Sequence, residues 1–360
     1  MTSGEPRQRT VPIVIGCDTD PDREALVGAI PTGRLQWRGM LEGIPALKES
    51  VHALRDDAGR PPAFTWLLRA DEQVRALEGS SAWVLEAHRA HFDSLRSSGD
   101  EIGWHPHFWR HDAARDLWYQ EIEDVPWQLQ MLEEAHAALG RAGLTPASVR
   151  MGWDFHNNAT LATLARLDVK IDFSALPGMR TFHGAPPRRS ENLFDWSAAP
   201  DRSYLPSVSN YQQRAQGGEA ELAILELPIF VAHSRSWGLL AGAQLARKTL
   251  RIAPLWDALR RPSYVLNLTG RPALFAPIVA ALRAALRAAL RATGRTEPVF
   301  AAYFHPDELL SNRTSLYAMA HVRENLAALL AAIRGEGARA IFLTAGEYAA
   351  RWSDQRRPAA

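Results

Sequence analysis

A single cysteine, Cys17, excludes an internal disulfide and any cysteine-based metal finger. Its place at the end of an apolar run marks a small buried residue, not a nucleophile. An excess of one charge is lacking too. The 41 Lys and Arg against 40 Asp and Glu leave a net charge of +1, so no polyanion and no nucleic-acid partner is implied. There is no uninterrupted apolar run of about 18 residues, so no membrane span is expected. Residues 1–10 are polar and lack the apolar core of a signal peptide. With an Arg- and Ala-rich composition, this sets the expectation of a cytoplasmic protein. What remains, 46% hydrophobic and 22% charged residues over 360 positions, reads as a globular chain. The length suits one large domain or two ordinary ones, and no linker divides it. The expected organisation is a flexible segment over 1–10, one domain over 11–352 and a flexible tail over 353–360.

Short apolar runs alternate with longer helical patterns. Strands are expected at 11–17, 63–68, 101–105, 148–152, 169–173, 223–229, 299–304 and 340–343. Helices are expected at 43–56, 81–97, 126–142, 158–167 and 313–334. Such alternation specifies a parallel α/β sheet, and the number of units favours a closed barrel over an open sheet. Within 280–292 the unit Ala-Ala-Leu-Arg recurs with a four-residue step. Its leucines form one slowly drifting helical stripe, suited to packing on a barrel exterior. The longest irregular region, 177–218, is rich in Pro, Gly and aromatic residues. A loop of that length in a compact domain is functional or disordered. It is expected to wall the substrate cleft, with Trp196 and Tyr204 facing the ligand.

Two pairs of polar residues stand at strand ends. His105 and His107 follow Glu101-Ile-Gly-Trp, and Asp18 and Asp20 follow the run 11–17. Residues two apart in extended chain share a face, so each pair can converge on one ion. In an α/β barrel the site lies at the C-terminal strand ends. Those ends, in chain order, present Asp18 and Asp20, Arg69 and Asp71, His105 and His107, Arg150 and Asp154, Asp172 and Ser174, Glu226, and His305.

This ordered set resembles the polysaccharide deacetylase family, carbohydrate esterase family 4, in a divergent His-x-His branch. The resemblance runs from about residue 11 to 352. It rests on the aspartate pair Asp18 and Asp20, on Glu101-Ile-Gly103 ahead of His105, on Val149-Arg-Met-Gly152, on Phe304-His-Pro-Asp307 and on Phe342-Leu-Thr-Ala-Gly-Glu-Tyr348. It implies a distorted (β/α)7 barrel and a metal-dependent deacetylase. Asp18 is then the general base, Asp20 a metal ligand, and His305 the acid. Arg150 holds or tunes Asp18.

The chain departs from the family pattern at two places. The usual second histidine lies four residues on, where this chain has Trp109. The partner of His105 is then His107 or His111, and same-face geometry favours His107. The carboxylate that would orient His305 is not evident, with Asp195, Asp172 and Glu226 as candidates. Two imidazoles and a carboxylate leave open positions on a divalent ion, zinc first, with cobalt, nickel, manganese or iron as substitutes. Trp109, Trp153, Trp196 and Tyr204 flank the motifs and offer aromatic faces for sugar rings. The expected substrate is an N-acylated sugar or oligosaccharide. The alternatives are a non-sugar amide and a carbohydrate-binding barrel without turnover. The oligomeric state is not readable.

Overall fold

The alternation in the first strand shows how the chain builds its site. In the computed structural model, which describes residues 9–23, 35–180, 194–233, 263–291 and 298–356, strand β1 spans Thr10–Thr19. Ile13, Ile15 and Cys17 join the core beneath the outer helices, while Val14 joins a second, inner core. Gly16 and Asp18 follow Val14 on the inner face by the two-residue period of a strand. Cys17 is buried, as its apolar setting requires.

β2 (Thr65–Arg69) and β3 (Glu101–His105) add to β1 in parallel. A short antiparallel hairpin, β4 (Trp109–Asp112) with β5 (Leu117–Gln120), then leaves the sheet. β6 (Ser148–Val149), β7 (Ile171–Asp172) and β8 (Leu225–Glu226) continue it. β9 (Val231–His233) and β10 (Ser263–Val265) form an antiparallel pair. β11 (Phe300–Phe304) returns to the far edge of β1, and β12 (Arg339–Leu343) pairs with the N-terminal half of β1. The order is β11-β1-β2-β3-β6-β7-β8. The curl is completed by single parallel bridges from Ile229 to Ala301 and from Asn267 to Tyr303. This is the distorted α/β barrel expected from the sequence, with its last seam made of isolated bridges.

Every expected strand is present, several in shortened form. Ser148–Val149 is a two-residue ladder, though Arg150 N–H still donates to Trp104 O (3.0 Å) and Gly152 N–H to Pro106 O (2.7 Å). The helix expected at 81–97 breaks at His88, which leaves helical angles between Trp83–Ala87 and Arg89–Ser97. The Ala-Ala-Leu-Arg repeat lies in the helix Pro272–Arg291, which buries Phe275, Ile278, Leu282 and Leu286 and packs on the helix Met319–Gly335. Among the described residues this one helix is long and apolar enough by length and composition to cross a membrane, although arginines interrupt its apolar run. The last helix, Ala345–Arg356, runs four residues into the segment expected to be a flexible tail. The expected flexible N-terminal segment falls mostly on residues 1–8, outside the described residues.

Candidate active site

Parity places the site. Val14, Leu67 and Ala301 belong to the inner core. Stepping two residues along each strand puts Asp18, Arg69 and His305 on the same inward face, at the C-terminal ends. Gly103 stands two residues before His105, and a Cβ there would press on Leu67 and on Ser148. The floor of the site is therefore close-packed.

Asp20, His105 and His107 form the one group of three metal-ligating side chains found among the described residues, with their donor atoms all within 4.8 Å of one another. His105 Nε2 lies 3.7 Å from Asp20 Oδ2, and His107 Nε2 lies 3.4 Å from Asp20 Oδ1. His105 Nδ1 is 2.6 Å from the Arg150 carbonyl. A carbonyl only accepts, so Nδ1 carries a proton, and Nε2 is the nitrogen turned to the cluster. Nε2 faces His107 Nε2 at 3.1 Å. Burial and then the Arg69 charge push the His107 pKa down to about 4, so its ring is neutral at neutral pH. Burial alone would raise Asp20, but His107, His105 and Arg69 outweigh it and hold the carboxyl well below the usual range. A neutral His107 and an ionised Asp20 are protonation states that suit a divalent cation.

The charges around this group also fit a cation. Arg69 pairs with Asp20 (Nη1 to Oδ1, 2.6 Å) and with Asp71. Arg150 pairs with Asp18 and with Asp154, and its guanidinium lies 4.2 Å from the centre of the Tyr303 ring. Each aspartate of the Asp-x-Asp pair is thus gripped by an arginine that a further aspartate shares. Four buried carboxyl groups face two guanidiniums, an excess of negative charge that a divalent ion would balance. Burial lifts the Asp154 pKa, against the pull of Arg150. Asp18 Oδ1 is buried with no hydrogen-bond partner among the described residues.

His305 Nε2 sits 3.7 Å from Asp18 Oδ2 and 3.8 Å from Asp20 Oδ2. On the far side of the ring, Nδ1 faces Glu308 Oε1 at 3.7 Å. Glu308 accepts from the His305 backbone N–H (3.2 Å) and from Thr269 Oγ1 (2.6 Å), and Arg23 contacts it at 3.3 Å. Burial opposes its charge, but His305, Arg23 and Thr269 bring its pKa to about 2. The carboxylate beside His305 is therefore Glu308, none of the three expected from the sequence. Asp195 instead caps Ser197 at the surface. Asp172 pairs with buried His156 (2.9 Å), and Glu226 accepts from Ala175 N–H. The signal for Glu308 was its place three residues after His305 with Pro306 between, the spacing of a helix-start capping pair.

No family model matches the chain, and no curated protein matches it. Among solved structures, a Parabacteroides distasonis protein provisionally assigned as a glycoside hydrolase/deacetylase aligns with a TM-score of 0.58 at 14% identity, over 97% of this chain and 72% of that one. The chain has a deacetylase-type barrel fold. A Mycobacterium smegmatis protein, provisionally assigned as a polysaccharide deacetylase, gives 0.49 at 14% identity, over 99% and 97% of the two chains. At such identities the likeness is one of fold alone.

In this deacetylase-type barrel, the chain turns after β3 and carries His111 into the hairpin. There it pairs with Asp116 at the surface. Of the two alternatives, His107 is the one beside His105. Trp109, which stands where a ligand is usual, lies parallel to the His107 ring at 6.0 Å. Trp153 crosses Trp109 edge-on at 4.7 Å and is half-buried. Trp153 and Asp154 both adopt left-handed backbone (φ 55° and 56°), which aims Asp154 back at Arg150. The loop prediction needs correction. Trp196 and Tyr204 are buried, at 0% and 1% exposure. Trp196 donates to the Asp154 carbonyl (2.7 Å), and Tyr204 donates to the Tyr211 carbonyl (3.0 Å). Trp196 braces the turn that carries Asp154, and neither ring has a face for a ligand, because the loop folds its aromatic side chains inward. The part of that loop at 181–193 lies outside the described residues.

Proposed function

We propose that this protein is a metal-dependent hydrolase that removes an acetyl or other acyl group from an N-acylated sugar or glycoconjugate. Asp20, His105 and His107 would hold the divalent ion, zinc first. When bound, such an ion supplies Lewis-acid polarisation of the scissile carbonyl and acidifies water. Asp18 is the base, to take a proton from the attacking water: Arg150 fixes Oδ2, and Oδ1 has no hydrogen-bond partner among the described residues. His305, on the same inward face, donates from Nε2 to the leaving amine, and Glu308 behind Nδ1 stabilises the imidazolium. Half-buried Trp153 offers a flat face for the sugar ring beside His107.

The single observation that supports this reading is the convergence of both pairs and His305. Asp18 and Asp20 each lie within 3.9 Å of His105 and of His305. The test is acetate release from a panel of N-acetyl sugars and non-sugar amides after loading with zinc. Turnover confined to the sugars supports the reading. Turnover of the plain amides alone would replace the substrate class, and none anywhere would remove the activity.

A further inference from the structure

Arg69 is the last residue of β2 and only 3% exposed, yet the chemistry above leaves it without a task. Its planar guanidinium makes three contacts. Nη1 donates to Asp20 Oδ1 at 2.6 Å, Nε pairs with Asp71, and Nη2 donates to Gln73 Oε1 at 2.8 Å. Asp71 is equally divided. Its Oδ2 accepts the backbone N–H of His107 at 3.1 Å, and its Oδ1 accepts Val74 N–H at the start of the helix Glu72–Glu78. One arginine–carboxylate couple therefore touches the side chain of one candidate ligand and the backbone of another, 87 positions apart in sequence.

We propose that the Arg69–Asp71 couple is a positioning unit that sets the separation of Asp20 from His107 and thereby the affinity of the site for a divalent cation. The inference rests on the metal reading above. Two effects of the guanidinium oppose one another. Its positive charge repels a nearby cation, so removing it would tighten binding. Its fork holds Asp20 by Oδ1, the oxygen that faces His107, and keeps Asp71 on the His107 backbone, so removing it would free both ligands and leave Asp71 buried without its cation. Partners that orient metal ligands are worth about 10–100-fold in affinity when lost. The rigid fork is what one lysine nitrogen on a flexible stem cannot reproduce. Positioning wins because the couple binds both ligands and not one.

The experiment uses the full chain, stripped with a chelator and titrated with Zn2+ alone against a chromophoric competitor. Thermal melts of each stripped protein run in parallel. His107→Ala should lose binding. Arg69→Gln should weaken it about 10–100-fold while still melting cooperatively. Arg69→Lys, which keeps the charge, should be weakened by about 10-fold, because charge is not what is missing. Arg69→Gln binding as tightly as the wild type, or more tightly, overturns the proposal, since repulsion would then be the guanidinium's only effect. If Arg69→Gln does not fold, Arg69→Lys and Asp71→Asn decide by the same measure, and wild-type affinity in both overturns it. A wild-type protein that binds no Zn2+ defeats the metal reading itself, an outcome distinct from normal affinity in the Arg69 variants.

Discussion

Asp18 and Asp20 are the same residue type two positions apart, and their surroundings divide their tasks. Asp20 faces two imidazole nitrogens, whereas Asp18 is gripped by Arg150 and keeps one oxygen unpartnered. Asp18→Asn should therefore retain bound metal and lose about 10²–10⁴-fold in turnover. Metal content and kcat measured on one preparation check this, and lost metal with activity restored by excess ion would make Asp18 a ligand. His305→Ala should follow the same pattern. A second comparison separates the two histidine alternatives: His107→Ala should lose metal and activity, while His111→Ala should keep both, because His111 pairs with Asp116 on the hairpin surface. The reverse result would mean that the hairpin folds back over the site. At this scale much was legible in the sequence. Every proposed ligand, base and acid stands at a strand end on the inward parity. Arg69 carried the same signal, two residues after buried Leu67, and was read only as strand-end polarity.

Elements explain what single residues do not. The turn after β6 carries Arg150, Trp153 and Asp154, and two successive left-handed residues cost about 1–3 kcal/mol each. That cost is met from outside the turn. Met151 N–H donates to Ser174 Oγ (2.8 Å), and Trp196 donates to the Asp154 carbonyl. The same turn presses Gly152 against His107, and a Cβ at Gly152 would overlap the imidazole ring. Gly152→Ala is expected to displace His107 and lower zinc affinity by at least 10-fold, the loss typical of a disturbed ligand. Gly140→Ala, inside the helix Val125–Arg141 with nothing within 4 Å, is the control and should leave affinity unchanged. Equal affinities in the two variants would show that the ring is free to move. None of this was visible in the sequence, because the two left-handed positions are held by Trp153 and Asp154 and not by glycine. The burial of Trp196 and Tyr204 was hidden for a related reason. A Pro-rich segment shows no periodicity, so its inward and outward side chains cannot be told apart before the sheet it covers is known. The hairpin β4–β5 was likewise missed, its four-residue strands being too short for the pattern.

On the scale of the whole molecule, the barrel places a second buried polar cluster behind the turn that carries Arg150 and Asp154. His156 Nε2 lies 2.9 Å from Asp172 Oδ2, and Asp172 accepts from Ser174 Oγ at 2.6 Å, beside Glu226. All three titratable side chains are buried. Burial first, and the Asp172 charge second, raise the Glu226 pKa well above the usual carboxylate range, with Ala175 N–H opposing. Asp172 is lowered, since His156 and the Glu226 proton outweigh its burial. Glu226 is thus the member of the pair that holds its proton the more tightly. Its folded pKa exceeds its unfolded one, so between the two the folded chain keeps a proton that the unfolded chain releases. Stability then falls as pH rises above the unfolded value, by up to about 1.4 kcal/mol per pH unit. Gln at 226 keeps a polar group of the same size beside Asp172 and has no proton to lose. Glu226→Gln should melt with the wild type at pH 4 and above it at pH 8, with the gap widening in between. Thermal melts of the chelator-treated proteins across that range measure the gap. A difference that does not change with pH would mean that Glu226 is ionised in the folded barrel and that His156 alone balances the pair.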